Sequence, residues 1–223
     1  MKQLMVVSAG LSTPSTTRHV ADQIAAAVRA QVTARGEDLE VRTVEVREYA
    51  QDLTQLMLTG MDSPALEAFK RDISSADGLV AVTPVFQGSY SGLFKMLFDA
   101  LHTDSLNAMP TIIAATAGSQ RHSLVTEYAL RPLFTYLRAN VVPTSLFAAT
   151  EDFGSDEGAA FTRRVDRAAR ELAELLVATT GAVSGLAGSL DESAQPRPRR
   201  SGTDLDEFVP LGQLLGQQTG AQG

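Results

Sequence analysis

Cysteine is absent from this chain, which excludes disulfides, thiolate nucleophiles, CxxC redox chemistry and thiolate metal sites. Any redox work therefore falls to a bound organic cofactor, because the protein itself carries no electrons. Excess positive charge is missing too: 26 acidic against 19 basic residues leave a formal charge of -7, whereas affinity for a phosphate backbone needs clustered cations. RPRRS near the C-terminus is the one locally basic stretch, and no nucleic-acid partner is expected. No apolar run approaches the ~18 residues of a membrane span, and Met1-Lys2 lead straight into a strand-like segment that signal-peptide cleavage would destroy. The expectation is a cytoplasmic protein with no membrane partner. Three histidines without HExxH-type spacing argue against a metal site. Neither a GxxxxGK[ST] loop nor a GxGxxG dinucleotide fingerprint is present.

What is there is enough for one globular domain plus an extension: 223 residues, 44% hydrophobic and 20% charged. LMVVS (4 to 8) is a short apolar run, followed by the small-residue loop SAGLSTPSTT and a helix whose Val20, Ile24, Val28 and Val32 recur four apart. LEVRTVEV (39 to 46), rich in β-branched residues, reads as a second strand. SPALEAFKRDISSA then reads as a helix with Ser63 as N-cap and Pro64 at its first position. GLVAVTP (78 to 84) has the continuous apolar character of a parallel strand covered on both faces, and it runs through a loop into the helix GLFKMLFDAL. TIIAATAGS (111 to 119) repeats the pattern before the helix-like LVTEYALRPLFTYL. VVPTSLF (141 to 147) is the last strand, and a long helix with Phe161, Val165, Ala169, Leu172 and Leu176 on one face closes the domain.

Strands alternating with helices predict an α/β doubly wound parallel sheet of five strands, with helices on both faces. The order 2-1-3-4-5 enters by analogy with flavodoxin-like folds. The division expected is a domain over 1–180 and, over 181–223, a Gly/Ser/Pro-rich linker with a C-terminal extension. The far end of that extension recovers apolar residues (Leu205, Phe208, Val209, Leu211, Leu214, Leu215) and either hangs free or docks on the body or on another subunit.

In such sheets the ligand crevice lies at the carboxyl ends of the strands, and the loops after strands one, three and four are all unusual. The first has six hydroxyls (Ser8, Ser12, Thr13, Ser15, Thr16, Thr17) ahead of a helix N-terminus, where backbone N–H groups favour a phosphate monoester. The plainer alternative is that Ser15 or Thr16 simply caps the helix. The second, Pro84 to Ser91, offers amides and two aromatics, Phe86 and Tyr90, suited to a flat ring with polar edges; either aromatic is equally at home in a core. GSYSG does not make a hydrolase elbow, because its central residue is Tyr90. The third, Thr116 to His122, is small at Ala117 and Gly118, which lets backbone approach a ligand. His122 reads as a hydrogen-bonding residue, with no acid-base role assigned.

DSPALEAF, ADGLVAVTPVFQGSYSGLFKMLFDAL and ATAGSQRHSLVTEYALRPLF, in this order, resemble the NADPH-dependent FMN reductases that supply reduced flavin to alkanesulfonate and other luciferase-like monooxygenases. The resemblance covers roughly residues 1 to 178. It implies an NAD(P)H:FMN oxidoreductase in which hydride passes from NADPH or NADH to flavin N5, working as a homodimer or homotetramer with a monooxygenase as a further partner. By position, Ser12, Ser15, Thr16 and Thr17 then hold the FMN phosphate, while Pro84, Val85, Phe86 and Gln87 line the flavin ring. Ala117, Gly118 and Ser119, with His122, meet its polar edge. No catalytic residue is implied. Two departures stand out: Phe86 replaces the usual Tyr, and the arginine common in the family's first loop is replaced by Ser12 or Thr13. Alternatives sharing the fold are an FMN-retaining NAD(P)H:quinone or azo reductase, and a flavodoxin-like electron carrier that meets no pyridine nucleotide.

Pro132 sits inside the helical pattern TEYALRPLFTYL without an N–H to donate to Tyr128. The spacing predicts a kink or π-bulge between Glu127 and Pro132, turning Tyr128 outward to a neighbouring subunit and the crevice. The alternative is a helix that begins only at Pro132.

Overall fold

The computed structural model describes residues 1–150, 156–177 and 198–202. β1 (Lys2–Ser8), β2 (Leu39–Glu45), β3 (Gly78–Phe86) and β5 (Pro110–Ala117) form a parallel sheet with β6 (Asn140–Val141), in the order β2-β1-β3-β5-β6. Two further strands lie off this path: β4 (Ser89–Tyr90) returns antiparallel on β3, and β7 (Leu146–Ala149) pairs parallel with β5. The expected α/β flavodoxin-like parallel sheet is present, but with seven strands rather than five. Both differences have local causes. The run 141 to 147 is broken in two because Pro143 has no N–H for the ladder. β4 arises because β3 runs on to Phe86 and reverses at Gln87 and Gly88, whose φ values of 50° and 80° are the positive pair a type I′ hairpin turn requires.

One face of the sheet is covered by α1 (Thr16–Thr33) and α6 (Asp156–Leu176). The predicted stripe of α1 is fully buried there, as are the five predicted residues of α6 from Phe161 to Leu176. The other face carries α2 (Ala50–Thr59), α3 (Pro64–Ser75), α4 (Gly92–Asp99) and α5 (Arg131–Tyr136). α2 and the 3-10 turn Val46–Tyr49 ahead of it had no counterpart in the sequence reading. Phe94, Phe98 and Phe134 pack ring to ring, with Phe94–Phe98 and Phe98–Phe134 centroids 4.7 and 4.9 Å apart. Each such fully buried side chain stabilises the fold by about 1.5–3 kcal/mol. Helix starts follow the sequence: Ser63 Oγ accepts the Leu66 N–H and Ser91 Oγ accepts the Phe94 N–H, each at 3.2 Å.

The irregularity at Pro132 is a π-helical turn over Thr126–Leu130, closed by the Arg131 N–H on the Thr126 carbonyl and continuing directly into α5. Tyr128 is 79% exposed there and does not enter its own core. The turn is fastened to the β6–β7 connection: Arg131 donates to Glu127 Oε2 at 2.6 Å and to the Val142 and Pro143 carbonyls at 3.3 and 3.2 Å. Ser145 Oγ donates to Glu127 Oε1 at 2.6 Å. Hydrogen bonding from Arg131, and secondarily from Ser145, holds the Glu127 carboxyl below its usual range against the opposing effect of burial.

Most of the predicted linker and extension lies outside the described residues. Residues 198–202 dock at the amino edge of the sheet: Arg199 Nη1 donates to the Ala76 carbonyl, and Ser105 Oγ donates to the Arg200 carbonyl at 2.8 Å. Gly202, at φ +72°, lies so close that a Cβ there would sit 2.9 Å from His102 Cβ. Burial pushes the Arg199 guanidinium down from its ordinary value, while the charge of Asp77 partly restores it.

Candidate functional site

The parallel register brings three strand ends level. Ser8 of β1 lies opposite Glu45 of β2 and Val82 of β3; Pro84 of β3 lies opposite Thr116 of β5, which in turn faces Ala148 of β7. The loops that leave these ends enclose one open cavity of about 370 Å³. Nine of the twelve predicted residues line it: Ser12, Ser15, Thr16 and Thr17 from the first loop, Pro84, Val85 and Phe86 from the second, Ala117 and Gly118 from the third. Gly10, Leu11, Thr116 and Thr150 complete the wall and were not singled out by sequence.

The first loop folds tightly onto the start of α1. Ser15 is the N-cap, its Oγ accepting the Arg18 N–H at 3.2 Å, and a Cβ on Gly10 would lie 1.9 Å from that oxygen, so the loop closes only around glycine. The capping alternative for Ser15 therefore applies, and the same residue still faces the cavity. Ser12 Oγ donates to the Pro14 carbonyl at 2.9 Å, so its one hydroxyl hydrogen is engaged within the loop. Thr17 and Thr116, both buried, share a hydroxyl–hydroxyl bond of 2.8 Å that ties the first loop to the third. Thr150 Oγ1 closes the far side on the Ala117 carbonyl at 3.2 Å. Ser8 Oγ, at the root of the first loop, is the one buried side-chain polar atom without a hydrogen-bond partner among the described residues.

The second loop owes its shape to Thr83, whose Oγ1 accepts the Ser91 N–H at 3.1 Å and so holds the hairpin base to the start of α4. Phe86, 46% exposed at the end of β3, gives the cavity an apolar wall. Gln87 sits at the exposed hairpin tip and is not in the cavity lining. Ser119 is also outside that lining, because the chain turns there into the 3-10 turn Gln120–His122. His122 lines a second open cavity of about 410 Å³ beyond the hairpin, with Gly88, Ser89, Arg121, Leu124, Val125, Tyr128 and Ala129.

Charge around the first loop comes from elsewhere in the chain. Arg47, in the 3-10 turn after β2, donates Nη1 to the Ser12 carbonyl at 3.4 Å and to Thr13 Oγ1, and its Nη2 pairs with Glu45 at 2.6 Å. Glu45 also accepts Arg18 Nη1 at 2.8 Å. A hydrogen bond to Asp22, helped by the charges of Asp22 and Glu45, raises the Arg18 guanidinium above its ordinary value. A smaller cleft of about 120 Å³, lined by Gln3, Arg42 and Asp72 among others, lies between β1, β2 and α3 and is too small for a ring system of flavin size. Among the described residues no group of three or more His, Asp or Glu is placed to hold a metal, and no helix is long and apolar enough to cross a membrane.

Residues 1–154 match the family described as NADPH-dependent FMN reductase. The chain is 34% identical over 151 residues to the NADH-dependent FMN reductase SfnF of Pseudomonas putida, covering 68% of this chain and 79% of SfnF. It is 33% identical over 153 residues to an FMN reductase (NADPH) of Pseudomonas aeruginosa, covering 68% of this chain and 78% of that one. An X-ray structure of an oxidoreductase from Corynebacterium diphtheriae is 60% identical and superposes with a TM-score of 0.78, over 80% of this chain and 98% of that one. The apo form of an NADH:FMN oxidoreductase, EMOB, is 27% identical with a TM-score of 0.64, over 76% of this chain and 89% of that one. Sequence, fold and the three converging loops agree, and the chain belongs to the NADPH-dependent FMN reductase family.

Proposed function

We propose that the chain is an NAD(P)H-dependent FMN reductase that binds FMN in the cavity between the three loops and passes reduced flavin to a partner monooxygenase. The observation that carries this reading is the polarity of that one cavity: a hydroxyl-rich helix N-terminus at one end and the apolar wall of Val85 and Phe86 at the other. A phosphate monoester suits the first, a flat ring the second. The donor set fits FMN: helix N-terminal amides, the hydroxyl of Thr16, and that of Ser15, which accepts the Arg18 N–H and keeps its own hydrogen to donate. The flavin held there would supply the two-electron chemistry, taking up a hydride and a proton as the nicotinamide is oxidised, with FMNH2 as the reduced product.

The protein's part is positional. Ser12, Ser15, Thr16 and Thr17 seat the phosphate; Pro84, Val85 and Phe86 exclude water from one face of the ring; Ala117 and Gly118 bring backbone to its edge. Gln87, Ser119 and His122 lie outside the cavity lining, and of the three only His122 faces the neighbouring cavity, where a second substrate could enter beside the flavin. The relatives' names divide between NADH and NADPH as the electron donor. We further propose a homodimer or homotetramer in the cytoplasm, its interface built on the exposed Leu124 ahead of the π-turn, Tyr128 within it and Tyr136 at the end of α5, the first two bordering the cavity that His122 lines.

The test is anaerobic mixing of the protein with FMN and either nicotinamide. Catalytic bleaching of the oxidised flavin band is expected, with release of FMNH2 on gel filtration. Tight FMN retention without reduction would favour an electron carrier instead.

A further inference from the structure

The first loop, residues 8–17, contains no lysine or arginine, so a dianionic phosphate seated there meets no cation from its own segment. Parallel pairing solves this from outside. β2 lies beside β1 with Glu45 opposite Ser8, so the 3-10 turn that follows β2 emerges next to the first loop. Its Arg47 reaches back across 34 positions to bond Thr13 Oγ1 and the Ser12 carbonyl, and Ser12 lines the cavity. Arg47 and Arg18 share one acidic partner, Glu45, which is largely buried between them, while Asp22 on the solvent side takes up the remaining charge of Arg18. A guanidinium carries five N–H donors, and the contacts above leave Arg47 capacity for a further acceptor. Forked N–H geometry of this kind matches a phosphate.

Resting on the reading of the cavity as an FMN site, we propose that Arg47 is the cation of the phosphate subsite, held on Glu45 as counter-ion and on Thr13 as a strut, and that it makes the site select phosphorylated flavin over riboflavin. The selection is electrostatic. Riboflavin offers the same ring but no anion, so loss of Arg47 acts on FMN alone, and a charge is told from a mere loop strut by the salt dependence of FMN binding and by Arg47→Lys. Gln at position 45 can still accept the Arg47 Nη2–H while removing a like charge that opposes the phosphate, so Glu45→Gln strengthens FMN binding.

The experiment is fluorescence titration of FMN and of riboflavin with wild-type protein and with Arg47→Met, Arg47→Lys and Glu45→Gln, at low and high salt. Arg47→Met is expected to weaken FMN about tenfold or more, the worth of one charge-assisted contact, and to leave riboflavin within about twofold. Arg47→Lys retains most of the preference because it keeps the charge while losing the fork. Glu45→Gln tightens FMN without changing riboflavin, and the salt dependence of FMN binding falls in Arg47→Met. Equal weakening of both ligands by Arg47→Met, no weakening of either, or weaker FMN binding in Glu45→Gln overturns the proposal. Wild-type protein that binds neither flavin, or both alike, overturns instead the assignment of the first loop as a phosphate site.

Discussion

The Thr17–Thr116 hydrogen bond offers a quantitative test of how the site walls are held. The two hydroxyls lie 2.8 Å apart, both residues are 4% exposed, and they join the start of α1 to the end of β5 across 99 positions. Replacing Thr17 with Val keeps the shape but leaves Thr116 Oγ1, a nearly buried group in the cavity wall, without this partner, a cost of about 1–3 kcal/mol. Thr116→Val does the same in reverse. The double variant removes both polar atoms together, and apolar replacement of a matched pair is close to neutral, so it should be destabilised by less than either single variant. Urea unfolding of the four proteins at one protein concentration measures this through the midpoints, provided the slopes agree. An interaction energy of about 1 kcal/mol or more is expected from the cycle. Single-variant effects that add within about 0.3–0.5 kcal/mol would refute the idea that this bond couples the loops.

Ser15→Asp keeps a competent N-cap while placing a carboxylate where the phosphate is proposed to sit, so FMN binding should fall by far more than riboflavin binding; equal losses in paired titrations would contradict the assignment. Glu127 has a carboxyl held below its usual range, so its stabilising effect is full above the unfolded carboxylate pKa of about 4.3 and is lost as pH falls through the lower folded value. The stability gap between wild type and Glu127→Gln, measured by urea unfolding, should therefore shrink between about pH 6 and pH 3; a gap that widens on acidification would contradict this. Gly202→Ala places a Cβ 2.9 Å from His102 Cβ at a left-handed φ, a cost of about 1–2 kcal/mol, so residues 198–202 should lift and tryptic cleavage at Arg199 and Arg200 should quicken about tenfold. Unchanged cleavage would show that the docking does not depend on this close approach.

The parts of the fold legible in the sequence were those written in local pattern. Continuous apolar runs marked β1, β3 and β5, and the four-residue spacing of Val20, Ile24, Val28 and Val32 marked α1. α2 was not legible, because it continues a 3-10 turn with Tyr49 at its N-cap position and no side-chain cap, so no start signal precedes it. The β3–β4 hairpin was hidden for a similar reason: Gln87 takes a positive φ that Asn or Asp would have advertised. Pro143 was visible, yet its effect on the ladder depends on β6 and β7 both having β5 as neighbour. In the site, the residues next to strand ends fell into place, whereas Ser119 and His122 were carried off by the turn Gln120–His122. Arg47 could not be read locally at all; only the β1–β2 pairing brings it to Thr13. Pro132 was the exception among irregularities, since a missing N–H within a helical pattern has few structural solutions and the π-turn Thr126–Leu130 is one of them.

The location of bound FMN tests the central claim most directly. In a crystal structure of the complex, the phosphate should lie against the backbone amides and hydroxyls between Ser12 and Thr17, with the ring along Pro84, Val85 and Phe86 and its polar edge at Ala117 and Gly118. Density for the flavin in the neighbouring cavity beside His122 and Tyr128, with the first loop free of phosphate, would contradict the account.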